Sequence, residues 1–229
     1  MAKKNAQQVD NMQELESALT RTEHFIEENQ KLLTYVIGGI VIVVIAFLAF
    51  RKFYIQPREG EAQSQMFMAE NYFEKDSFNL ALNGDGNYSG FLDVIGDYGI
   101  TKSAKLARYY AGISYLRLGQ YEDAIKYLNK FKTDDLLLAP VVEGAKGDAY
   151  MELGQQEKAL SHYRKAYQLT DNDLTTPIYM MKAGNVYETL DEPDKALELY
   201  IELKKKYPAS SEGSQAEKYI ARLQAKAGK

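Results

Sequence analysis

Residues 111–128 read AGISYLRLGQYEDAIKYL, residues 146–163 read KGDAYMELGQQEKALSHY and residues 183–200 read AGNVYETLDEPDKALELY. Laid over one another, they place Gly112, Gly147 and Gly184 in one column and Tyr115, Tyr150 and Tyr187 in a second. Ala124, Ala159 and Ala196 form a third. A unit recurring every ~34 residues has the period of paired antiparallel helices stacked in a solenoid. Each column has a physical reason: Gly and Ala sit where the helices of a pair approach closely, and Tyr fills the space between neighbours. Gly119 and Gly154 supply the turn between the helices of their pairs. In the third copy Asp191, Glu192, Pro193 and Asp194 replace that glycine turn. Pro193 suits the first position of a helix and disfavours helix at Glu192, so the turn is expected to survive by other chemistry.

Upstream, Ala69, Tyr72, Phe78 and Ala81 fall in the same places, with Asp76 and Ser77 available as a helix cap, which predicts a degenerate repeat over 62–100. Extra residues interrupt it around NGDGN at 83–87. The alternating oxygens there suggest a calcium loop, but Tyr88 and Val94 stand where such a loop needs glycine and a terminal glutamate, so a turn is expected. Regular repeats are expected over 105–138, 140–173 and 177–210, within a repeat domain of 57–211. From 212 to 229 the chain reads as a capping helix and tail, with Ala216, Tyr219, Ile220 and Leu223 on one face.

The stretch from Leu32 to Phe50, LLTYVIGGIVIVVIAFLAF, carries no charge and is bounded by Lys31, Arg51 and Lys52. As a helix it would be about 28 Å long, close to the thickness of bilayer hydrocarbon. Thirty-one mostly polar residues precede it, six of them acidic, and no small-x-small cleavage site follows, which separates it from a secretory signal. A transmembrane helix is therefore expected over 32–54, surrounded by lipid around 32–50, with Tyr54 as an interfacial anchor. In the amphipathic segment 1–31, Met12, Leu15, Leu19, Thr22 and Ile26 recur at helical steps. Arg21 and Lys31 precede the span whereas Arg51, Lys52 and Arg58 follow it, so charge alone slightly favours a cytoplasmic C-terminal domain.

With 32 acids against 28 bases, the net charge of -4 argues against nucleic acid as a partner. The absence of cysteine excludes disulfides, thiolate metal sites and lipidated cysteines. No Gly-rich phosphate loop, paired histidines or nucleophile beside a base can be found, so neither a catalytic site, a cofactor nor a metal is expected. His24 precedes the span, and His162, beside Tyr163, reads as a solvated or partly packed helix residue. The fold class expected is all-α, a single transmembrane helix followed by a repeat solenoid.

The triplets Gly112–Tyr115–Ala124, Gly147–Tyr150–Ala159 and Gly184–Tyr187–Ala196 resemble the tetratricopeptide-repeat family over roughly 62–210. More narrowly, an entry stretch FIEENQK at 25–31, one span, RKFY at 51–54 and then repeats are similar in layout to the YfgM-like ancillary subunits of the bacterial SecYEG translocon. That resemblance implies a single-pass inner-membrane protein, N-terminus cytoplasmic and repeats periplasmic, against the residue count. It implies a non-catalytic scaffold working with a PpiD-like foldase, periplasmic chaperones or emerging secretory chains. A scaffold of another envelope complex, for secretion or cell division, is the alternative. By the family's alignment the partner groove would draw on Leu106, Tyr109, Ile113, Leu116 and Arg117 in the first repeat. Val141, Asp148, Met151 and Glu152 would follow in the second, and Ile178, Met181, Asn185 and Glu188 in the third. Tyr109 and Ile113 stand where chaperone-tail binders place Lys and Asn, which disfavours a terminal carboxylate as ligand. An apolar, methionine-containing groove suits an unfolded client or a partner's helix.

Overall fold

The computed structural model describes residues 24–25, 27–226 and 228, and among them the regular structure is entirely helical. The helix expected through Met12, Leu15, Leu19, Thr22 and Ile26 lies outside the described residues. Two units divide between Pro57 and Arg58.

The first unit contains α1, Gln30–Phe50, in which no residue is buried. It is long and apolar enough to cross a membrane, with a mean hydropathy of 2.8 over its apolar window. Arg51–Ile55 then winds as a π-helix, closed by the Gln56 N–H donating to the Arg51 carbonyl. Pro57 explains the wide turn, because a proline lacks the N–H and its ring crowds the carbonyl four residues back in an α-helix.

The second unit stacks helices in antiparallel pairs. It starts within α2, Gln56–Glu74, and continues through α3, Phe78–Asn83, and α4, Phe91–Asp97. The following pairs are α5, Lys102–Arg117, with α6, Tyr121–Lys130; α7, Leu138–Glu152, with α8, Gln156–Leu169; and α9, Thr176–Thr189, with α10, Pro193–Lys206. The last helix is α11, Ser211–Lys226.

Packing accounts for the columns in the sequence. A Cβ on Gly112 would sit 2.6 Å from Leu128 Cγ, one on Gly147 2.5 Å from the Tyr163 ring and one on Gly184 2.3 Å from the Tyr200 ring. Each glycine is thus the seat of a large side chain from the second helix of its own pair. Ala69, Ala81, Ala124, Ala159 and Ala196 are all fully buried. Leu128 and Leu203 are also fully buried, and each contributes about 2 kcal/mol of transfer free energy. At the C-terminal end α11 buries Ala216 and Leu223 against α9 and α10, with Tyr219 and Ile220 half-covered.

One turn closes every pair. Gln120 N–H donates to the Tyr115 carbonyl and Gln155 N–H to Tyr150, both at 2.9 Å, across Gly119 and Gly154 at φ 73° and 69°. The third copy makes the same closure from Glu192 to Tyr187 at 2.9 Å, with Asp191 at φ 58° in the glycine's place and Pro193 in the first turn of α10. The interrupted upstream unit makes it too, from Ser77 to Tyr72 at 2.8 Å, with Asp76 at φ 54°. This closure satisfies carbonyls that the helix end would otherwise leave bare.

Two carboxylates hold the upstream unit together. Glu59 accepts from Lys102 N at 2.6 Å and from Ser103 N and Oγ at 2.9 and 2.7 Å, capping α5 alongside the Thr101 side chain. Burial pushes the Glu59 carboxyl up, but these bonds outweigh it and hold it below its ordinary value. In the 83–87 loop, Asp85 accepts from Asn87 N at 2.9 Å, Tyr88 N at 2.8 Å and the Tyr72 hydroxyl at 2.9 Å. Its oxygens serve the turn itself.

Candidate protein-binding cleft

The first helices of the three regular pairs line a cleft of about 710 Å³. Its apolar contact comes from Tyr109, Ile113 and Leu116 on α5 and Val141, Ala145 and Met151 on α7. Tyr163 of α8 and Tyr179 of α9 complete the aromatic surface. Gly144 makes room for the latter: a Cβ there would lie 1.9 Å from the Tyr179 ring.

Charge in the cleft is mixed. Asp148 accepts from Lys182 at 2.6 Å and from the Tyr163 hydroxyl at 2.7 Å, tying α7 to α8 and α9. The Lys182 ammonium lies 5.6 Å from the Tyr163 ring centre and 5.9 Å from that of Tyr179, an arrangement that favours a retained cation. Burial and then the Asp148 charge push the Tyr163 phenol far up, and burial does the same to Tyr179, so both stay protonated donors. At the other end, Glu152 accepts from Tyr121 at 3.3 Å, and Arg117 has no ion-pair partner among the described residues.

Of the groove residues expected from sequence, Tyr109, Ile113, Leu116, Arg117, Val141, Asp148, Met151 and Glu152 line this cleft. The others stand elsewhere. Leu106 packs half-buried against the upstream core, and Ile178 is exposed outside the cleft. Met181 is only 8% exposed and belongs to the core formed by α8 to α11. Asn185 and Glu188 accept the Tyr200 hydroxyl at 2.7 and 3.0 Å, and Glu188 also holds Arg222 of α11 through two bonds of 2.6 and 2.7 Å. Tyr200 of α10 therefore occupies both polar places of the third repeat, and the capping helix shares Glu188 with it.

Sequence reasoning missed Tyr121, Ala145, Tyr163, Tyr179 and Lys182 as lining residues. Tyr179 and Lys182 lie one residue beyond Ile178 and Met181, so the error there is one of helical phase. Gly144, falling where the first repeat has Tyr109, was the available signal for an aromatic ring arriving from α9.

A second polar cluster, behind the cleft, went equally unread. Glu143 and Lys146, 6% and 4% exposed, are paired at 3.0 Å inside α7. Glu143 also meets His162 Nδ1 at 2.8 Å and Lys165 at 3.1 Å, and the His162 ring stacks on Tyr150. Burial pushes the Glu143 carboxyl up, but hydrogen bonds from His162, Lys146 and Lys165 overcome it and hold the group down at about 2. This cluster ties α7 to α8. No group of three or more His, Cys, Asp or Glu among the described residues is placed to hold a metal ion.

Comparison with known proteins agrees with the helix pairs. Residues 106–135 and 179–210 match one tetratricopeptide-repeat model and residues 144–173 match another. No curated protein matches the chain. Among solved structures, two crystal structures of a putative kinesin light chain with nearly identical TPR-like repeats from Podosopora anserina, one of them a point variant, each share 14% identity and a TM-score of 0.57. The match covers 74% of this chain and 88% of theirs. A crystal structure of MamA protein shares 20% identity and a TM-score of 0.52, over 72% of this chain and 91% of that one. At such identities the likeness speaks to fold. The second unit is a tetratricopeptide-repeat solenoid preceded by one helix apolar enough to span a membrane. That fold typically serves as a non-catalytic protein-interaction scaffold, and no enzyme family is indicated.

Proposed function

We propose that the chain is a membrane-anchored scaffold at the Sec translocon of a bacterial inner membrane, its repeats periplasmic. In this reading α1 anchors it, and the cleft on α5, α7 and α9 receives emerging secretory chains, a PpiD-like foldase or periplasmic chaperones. The observation that carries the binding reading is the cleft itself: apolar side chains of two repeats stay open there, while in the third repeat Asn185 is held by Tyr200 of α10 and Glu188 by Tyr200 and by Arg222 of the capping helix. The translocon part rests on the layout of span and repeats in the sequence, and the orientation opposes the slight excess of Arg51, Lys52 and Arg58 after the span.

Mild-detergent purification of the tagged full-length chain from its own membranes, beside a chain with a swapped anchor, tests this. Channel subunits and a membrane foldase that disappear on swapping the anchor are the expected result; a different envelope machine among the recovered proteins would overturn the translocon assignment. Protease added to intact spheroplasts should digest the repeats, and their protection would place them in the cytoplasm.

A further inference from the structure

Ile100, Leu136 and Leu174 hold one place in three repeats: each immediately precedes the N-cap of a first helix, Thr101 of α5, Leu137 of α7 and Thr175 of α9. An apolar residue there often folds back onto the fourth residue of its helix and fixes the entry of the chain. These three do not. They are 58%, 71% and 66% exposed, and Leu137 beside them is 47% exposed. One exposed leucine needs no explanation, but the same place left bare in three successive repeats forms an apolar row. Among the described residues, the turns within the pairs, at 75–77, 118–120, 153–155 and 190–192, expose one large apolar side chain, Leu118 at 39%.

Antiparallel pairing puts these tips along one edge of the solenoid, opposite the turns. Contacts between the ends of second helices and the starts of first helices mark that edge. The Phe131 ring, at the end of α6, lies 5.9 Å from the Lys105 ammonium of α5, and the Tyr207 hydroxyl, at the end of α10, donates to Asp171 before α9. The chain also enters the repeats here. Arg58 donates to the Asp97 carbonyl and lies 5.5 Å from the Tyr98 ring centre, while Glu59 caps α5 directly after Ile100 and Thr101. Residues 51–57 alone separate Arg58 from Phe50, where the apolar run ends. Chain length therefore keeps Arg58 within about 30 Å of that run, however the intervening residues wind.

Resting on α1 as a membrane anchor, we propose that this edge of the repeat unit is a second membrane contact, at which Ile100, Leu136 and Leu174 enter the headgroup layer of the bilayer that holds α1. The tether selects lipid as the occupant, because a bilayer is the apolar surface present wherever the anchor is. The contact is shallow. Asp135 and Asp171 are engaged by their own loops, the first accepting from Leu137 N and Leu138 N at 2.9 and 2.8 Å and the second from Tyr207. The exposed carboxylates of Asp134 and Asp173 flank the tips and are costly to dehydrate, which stops the loops at headgroup depth.

The absence of cysteine allows single labels in the full-length protein. Ile100→Cys, Leu136→Cys and Leu174→Cys place an environment-sensitive fluorophore on the tips, Gln120→Cys and Gln155→Cys on the opposite turns, and Val43→Cys in the apolar run. Each variant is reconstituted in nanodiscs of phosphatidylcholine containing nitroxide-labelled lipid. The tip labels should lose fluorescence to nitroxides near the headgroups more than to nitroxides deep in the acyl chains, and the turn labels should lose none. Because a fluorophore is itself apolar, Lys132→Cys reports on the native tips from the exposed start of the 131–137 loop. Its quenching should vanish when Ile100→Ser, Leu136→Ser and Leu174→Ser are combined, at unchanged Tm. Quenching that survives those substitutions, or equal quenching on the turns, overturns the proposal. Unquenched tips beside a quenched Val43→Cys overturn it while leaving the anchor intact, whereas an unquenched Val43→Cys removes the anchor and the proposal together. Tip labels that shift to shorter wavelength without lipid quenching place a protein surface over the edge and overturn the lipid contact.

Discussion

The Glu192 N–H donates to the Tyr187 carbonyl at 2.9 Å, the closure that glycine turns provide in the two preceding repeats, although Asp191 occupies the glycine's place at φ 58°. A non-glycine residue in that region costs roughly 1 kcal/mol. Asp191→Gly should therefore stabilise the solenoid by about 0.5–1 kcal/mol, read as a rise in urea midpoint with an unchanged slope. Asp191→Val, β-branched in the same conformation, should destabilise by about 1–2 kcal/mol. A destabilising glycine would show that the aspartate side chain contributes more than its strained backbone costs.

Glu143 links stability to acid. Its carboxyl is held at about 2 in the folded chain against an ordinary 4.5, so its contribution is fully present above pH 4.5 and is lost as pH falls toward 2. Glu143→Gln should flatten that acid limb of the unfolding curve while changing little of its shape above neutrality. Glu143→Ala strands Lys146, 4% exposed, without its partner and should cost about 3 kcal/mol at neutral pH. Denaturant titrations at several pH values measure both.

The repeat architecture was legible because packing forces it into the sequence: a glycine must face Leu128, Tyr163 or Tyr200, and an alanine must lie where helices touch. The turn at Asp191 was half legible, since Pro193 signals a helix start but only the backbone shows an aspartate taking the left-handed conformation. Glu143 and Lys146 were illegible, because a charge on a helix reads as a solvated face until the second helix brings His162 and Lys165 over it. Part of the cleft was lost for a comparable reason. Glu188 and Asn185 have the chemistry of a groove, and nothing in their own repeat announces that Arg222, more than thirty residues on, will take one of them.

Two substitutions that look alike in sequence should behave differently. Leu116 lines the open cleft and is half-buried beside Leu128, Phe131, Val142 and Ala145, so Leu116→Asp should reduce partner capture by the tagged full-length chain at unchanged helicity, with a loss of stability of about 1 kcal/mol. Met181 is 8% exposed in the core, so Met181→Asp buries an unpaired carboxylate and should destabilise by about 3 kcal/mol or more. Circular dichroism melts beside the capture assay separate the two. Equal melting points with equal loss of capture would put Met181 in the groove after all.

Arg222 presents the last case, in which a cap and a binding surface compete for one carboxylate. Its guanidinium holds Glu188 at 2.6 and 2.7 Å, and Glu188 in turn takes the buried Tyr200 hydroxyl at 3.0 Å. The Arg222 side chain is 46% exposed and that of Glu188 19%, so solvent screens much of the attraction and Arg222→Ala should cost only about 1 kcal/mol. The consequence for recognition is larger in kind. With the guanidinium gone, Glu188 presents on α9 a carboxylate held only by the Tyr200 hydroxyl, and a segment carrying Lys or Arg should gain affinity that falls as salt rises. A neutral segment bound through Ile113 and Leu116 should show neither the gain nor the salt dependence. If Arg222→Ala instead unfolds α11, seen as loss of amide protection through Ala216 and Leu223, the ion pair is part of what holds the cap in place and the groove gains nothing from its removal.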